Sequence, residues 1–167
     1  MRAVVEFLAR GVAIVGGVVL VLIVAMTCIS VTGREIGLGE ITGNYEILEA
    51  GIAFAIFSFF PICQLYGGHA TVDVFTSGLR GRGLYALRAF WEVLLSAAIL
   101  FLTAQLYGGL ERYLNNGQTT LFLEFPVWWS YAASFAASVV ASIVAVYCAV
   151  VRVTEAVRGR EELPVDT

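Results

Sequence analysis

The chain has 167 residues, of which 59% are hydrophobic and only 14% charged, with a mean hydropathy of +0.85 and a formal net charge of −3. An ordinary soluble domain carries more charge and less apolar surface, so the composition points to a chain whose solvent is lipid. All ten basic residues are arginines and form no basic stripe, which excludes a nucleic-acid surface, and four crossings of roughly 20 residues each leave no room for a separate soluble domain.

At the start of the chain, Arg2, Glu6 and Arg10 recur at four-residue spacing with Val4, Val5, Phe7 and Leu8 between them, the pattern of a short interfacial helix on the membrane surface. Gly11 to Val31 then runs uncharged for long enough to cross the hydrocarbon core. It is longer than the apolar region of a secretory signal and lacks a small-residue cleavage site, so it reads as a retained helix; Met26-Thr27 before Cys28 is a poor lead-in to lipoprotein cleavage. The second crossing spans about 45–66, with Glu46 and Glu49 at its start, Pro61 near its far end and Gly67-Gly68 ending it. A third spans about 85–107, stopping before Gly108. The fourth spans about 127–151, introduced by Pro126 and by Trp128-Trp129, a pair suited to the headgroup level.

The predicted fold is an all-α integral membrane protein: four transmembrane helices with a short N-terminal interfacial helix, in a single domain over 1–160 followed by a polar tail at 161–167. Its arginines sort by loop. Arg2, Arg10, Arg80, Arg82, Arg88, Arg152, Arg158 and Arg160 fall on one side and only Arg34 and Arg112 on the other, which predicts both termini in the cytoplasm.

A carboxylate near mid-bilayer usually marks an ion or proton pathway, so the placement of acids decides between a transporter and a supporting chain. Glu46 and Glu49 share a face within the first two turns of their helix, about 6 Å or less along its axis, and can stay at the interface. They either partner Arg34 or an arginine of another chain, or are simply solvated. Arg88 and Glu92 are spaced to form an ion pair near the cytoplasmic boundary, and Gln105 is placed to bond to a neighbouring helix. Cys28, Cys63 and Cys148 lie in apolar stretches without ligand spacing and read as small core residues; no metal or cofactor is expected. His69 and Asp73, in the loop after the second helix, are assigned to ordering that loop, since a lone histidine cannot make a bis-histidine haem site.

On the fourth helix Ala133, Ala137, Ala141, Ala145 and Ala149 fall at strict four-residue spacing beside Ser134, Ser138 and Ser142. Two adjacent ridges of small residues permit close backbone approach, which drives helix association in lipid. That face meets either another helix of the same chain or a second protein; as a partner surface it comprises Ala133, Ala137, Ala141 and Ala145, with Glu46 and Glu49 nearby. Gly51 and Ala55 offer a shorter surface of the same kind.

Arg34, Glu46 and the run Gly67-Gly68-His69-Ala70-Thr71-Val72-Asp73-Val74, then Gly117-Gln118-Thr119-Thr120, Leu123 and Pro126-Val127-Trp128-Trp129-Ser130-Tyr131, appear in the order and spacing of a known pattern. The sequence resembles the small membrane (DctQ-type) subunit of tripartite ATP-independent periplasmic (TRAP) transporters, with Ala70 where that family usually carries a bulkier residue. The resemblance implies a non-catalytic scaffold in the bacterial inner membrane, partnered by a large permease subunit that holds the sodium and substrate sites. It also implies a soluble periplasmic binding protein that delivers organic acids, and gives the outer segment 115–125 a docking role. Two other readings are a self-sufficient small exporter, against which the acid-free first helix argues, and a membrane anchor for electron transfer, which would need His69 or the cysteines as ligands.

Overall fold

The computed structural model describes residues 2–66 and 82–158, the side chains of Arg2, 82–86, Arg88 and Arg158 excepted. It contains helices α1 (Arg2–Glu35), α2 (Asn44–Leu65), α3 (Arg82–Asn116) and α4 (Trp128–Arg158). All four are long and apolar enough to cross a membrane. Among the described residues the only β-type pairing is an isolated Thr119–Pro126 bridge, so the chain is an all-α membrane protein.

The expected interfacial helix is the N-terminal part of α1, which runs unbroken over 34 residues. At 1.5 Å per residue this is about 51 Å, well beyond the roughly 30 Å hydrocarbon core, so the Glu6–Arg10 turns extend past it. No proline interrupts them, and one glycine costs only about 1 kcal/mol, while bonding every backbone group within the segment favours continuity in lipid. Two close approaches join α1 to α2: an ideal Cβ on Gly16 would lie 2.5 Å from that of Ser58, and one on Gly51 would collide with Ile23. Glycine at those points lets the backbones meet.

Gly43 precedes α2 in the left-handed region, φ 76°, and a side chain there would overlap Leu123. Pro61 lies inside the last turns of α2 and is fully buried. The third helix differs from its expected extent, passing through Gly108-Gly109 to Asn116. Gly109 is a packing glycine rather than a stop: an added Cβ would lie 2.5 Å from the Tyr131 ring. The helix ends at Gly117, whose φ of 59° admits a left-handed cap and whose N–H donates to the Tyr113 carbonyl at 3.2 Å.

The helices form a row, α1–α2–α4–α3, with α1 also touching α4 lightly. Consecutive pairs pack most extensively, and the seam between α2 and α4 joins the two hairpins. One end of the row holds the connections 36–43 and 117–127; the other holds the ends of the helices nearest the chain termini. The central helix α4 supplies most of the core, with Ala137, Ala141, Val144, Ala145 and Cys148 buried. Of the three cysteines expected in the core only Cys148 is buried; Cys63 is half-buried and Cys28 exposed, because α1 at the edge of the row has one covered side.

Candidate functional site

The small-residue stripe of α4 is largely occupied by this chain's own helices. Ala141 and Ala145 pack with Ile99 of α3 and against Phe60 of α2, and Ala137 is 4% exposed, whereas Ala133 remains exposed. Hydroxyl groups stitch the same seam: Ser96 Oγ donates to the Ala145 carbonyl at 3.0 Å, and Thr103 Oγ1 donates to the Ser138 carbonyl at 3.3 Å and lies 2.9 Å from Ser142 Oγ. These bonds perform the cross-helix role that the sequence suggests for Gln105, which is itself exposed.

At the two-loop end, Glu46 pairs with no arginine among the described residues. Its carboxylate accepts backbone N–H bonds from Phe122 at 2.9 Å and Leu123 at 3.0 Å, clamping the 117–127 turn onto the start of α2. Within the turn, Thr120 N–H donates to the Phe125 carbonyl and Val127 N–H to the Gln118 carbonyl. Leu121 and Phe122, 90% and 67% exposed, form its tip. Glu49 is exposed near Tyr131, whose ring stacks on Tyr113 with centroids 4.8 Å apart.

Three polar groupings occupy the opposite end. Arg10 donates to the Tyr66 hydroxyl at 2.6 Å and pairs with Glu6, while that hydroxyl donates to Glu6 at 2.8 Å, tying the first turns of α1 to the end of α2. Buried Gln64 donates from Nε2 to Glu92 at 2.8 Å and to Ser96 at 3.1 Å, linking α2 to α3. Arg152 and Glu155 form a buried ion pair at 2.9 Å on α4, with side-chain exposures of 10% and 2%. The partner predicted for Glu92, Arg88, has its side chain outside the described set; His69 and Asp73 lie outside the described residues altogether. Neither the Glu6–Arg10 nor the Arg152–Glu155 pair is named among the sequence expectations, although their i, i+4 and i, i+3 spacings in the sequence carry the signal for both. Nothing in it signalled the Tyr66, Gln64 or loop N–H partners, which come from elements far apart in the chain.

Two open grooves line α1. One, of ≈ 510 Å³, lies among α1, α2 and α4 and includes Ile23, Gly51, Phe54 and Ala133; the other, of ≈ 470 Å³, is lined by Arg10, Ala13, Ile14, Ile62 and Tyr66. Among the described residues no carboxylate lines either groove.

Residues 23–156, from within α1 to near the end of α4, match the model of one family, the DctQ component of tripartite ATP-independent periplasmic transporters. The chain belongs to that family. No curated protein matches it. As a DctQ component it is the small permease component of a TRAP transporter, a multi-pass membrane protein of a family whose members work with a large permease and a binding protein.

Proposed function

We propose that this DctQ component is a non-catalytic scaffold that braces the large permease subunit in the bacterial inner membrane during ion-coupled uptake of organic acids delivered by a periplasmic binding protein. Both termini face the cytoplasm, a placement that the arginine distribution supports. The turn at 117–127 then faces the periplasm and offers Leu121 and Phe122 to the binding protein. Sodium and substrate bind the large subunit, as the family resemblance implies.

The observation that supports a bracing role is how the charged groups toward the two ends of the helices are used. Glu46 holds a loop, Glu6 and Arg10 hold Tyr66, Glu92 holds Gln64, and Arg152 holds Glu155. An ion path needs acids that face water or a solute near mid-bilayer, whereas these acids are engaged in hydrogen bonds and ion pairs within the chain.

Affinity purification in mild detergent with mass spectrometry tests the reading: one large polytopic partner is expected in roughly equal amount. Vesicles containing this chain alone are expected to show no substrate flux. Flux without a second subunit would refute the scaffold role and favour a self-sufficient transporter.

A further inference from the structure

The ridge of α3 that points away from α4 carries Leu94, Ala98, Phe101, Gln105, Gly108 and Arg112, all exposed. It lies opposite Ser96, Ile99 and Thr103, the side on which α3 packs. Two features set it apart from a lipid-facing surface. Gln105 sits about 9 Å along the helix axis from Glu111 and about 20 Å from Glu92, at 1.5 Å per residue, and is therefore within the hydrocarbon layer. A primary amide there is costly unless it is hydrogen-bonded. One helical turn away is Gly108. A Cβ built on it meets nothing within 4 Å, whereas its neighbour Gly109 is required by the Tyr131 ring. Glycine weakens a helix interior, and nothing among the described residues uses the space that Gly108 leaves.

The exposed side of α1 makes the contrast. Val4, Phe7, Ile14, Val18, Val21 and Ile29 form an apolar surface suited to lipid tails. Gly11 is equally open, but it adjoins Arg10 at the interfacial end and has no amide beside it.

We infer that this α3 ridge is where a transmembrane helix of the large permease subunit docks, its backbone approaching over Gly108 and a side-chain donor or acceptor bonding the Gln105 amide. The inference rests on the scaffold reading and adds to it the face and the register of the contact. The amide requires a polar partner inside the bilayer, which a lipid tail does not supply, and the glycine admits a close helix. A second copy of this chain, packing α3 on α3, is the competing occupant.

The test places a photoactivatable p-benzoylphenylalanine in place of Phe101, and separately in place of Ile14 on α1, in the complex assembled in membranes. Phe101 is expected to give an adduct with the large subunit. An adduct of twice this chain's mass, or no adduct from Phe101 while the two chains still co-purify, overturns the α3 assignment and leaves the scaffold reading standing. If no large subunit co-purifies, both fall. Gly108→Leu provides a second measurement: with open space around it the variant folds, and recovery of the large subunit is expected to fall about tenfold. Wild-type recovery with Gly108→Leu and with Gln105→Leu would also overturn the assignment.

Discussion

The adjacent glycines Gly108 and Gly109 predict opposite responses to the same substitution. Alanine in a helix interior is favoured over glycine by about 1 kcal/mol. At Gly108 the new methyl meets nothing within 4 Å, so Gly108→Ala should stabilise the solubilised subunit by up to about 1 kcal/mol. At Gly109 the methyl would lie 2.5 Å from Cε1 and 2.9 Å from Cδ1 of Tyr131, a ring already stacked on Tyr113. Overpacking of this kind costs about 1–3 kcal/mol, which cancels or exceeds the helix gain and leaves Gly109→Ala about 1 kcal/mol less stable on balance. The gap of about 2 kcal/mol corresponds to about 4–8 °C in melting temperature for a chain of this size. Thermal unfolding of both variants in one detergent, followed by fluorescence-detected size exclusion, measures it. Equal shifts in the same direction, or a Gly109→Ala variant as stable as wild type, would refute the view that one glycine packs and the other is unused by the described residues.

Ala141→Leu inserts a large side chain at a fully buried position against Ile99 and Phe60, and should lower the subunit's own stability by about 1–3 kcal/mol even without a partner; thermal melting of the isolated subunit checks this. Glu46→Gln replaces an acceptor pair with one acceptor and one donor facing backbone N–H groups, so limited proteolysis within 117–127 should quicken severalfold while the helices stay protected. Arg152→Met removes a buried cation 2.9 Å from the Glu155 carboxylate and should destabilise the subunit. Sharply reduced yield of folded protein is the expected readout, and Arg152→Lys should recover part of it.

The crossings were legible because lipid imposes a coarse rule, a long uncharged run, which Gly11 to Val31 satisfies without reference to any partner. Helix ends were less so. Gly108-Gly109 reads as a stop in sequence, yet its second member exists to admit Tyr131, a contact from another helix that no local pattern encodes. The stripe on α4 was legible as a packing face, but sequence alone could not decide between an internal and an external neighbour; burial of Ala137, Ala141 and Ala145 shows the internal one. Glu46 was singled out for its position, and its partners were missed because backbone N–H groups some 76 residues away carry no side-chain signature.

The row order has a consequence for how the protein is made. α1 needs chiefly α2, and α3 needs chiefly α4, each the next helix to emerge during synthesis. Each hairpin can thus close on leaving the insertion machinery, with short-range contacts that form quickly. The joining of the two hairpins, chiefly α2 against α4, comes last, so assembly of the subunit ends in one late meeting of two halves.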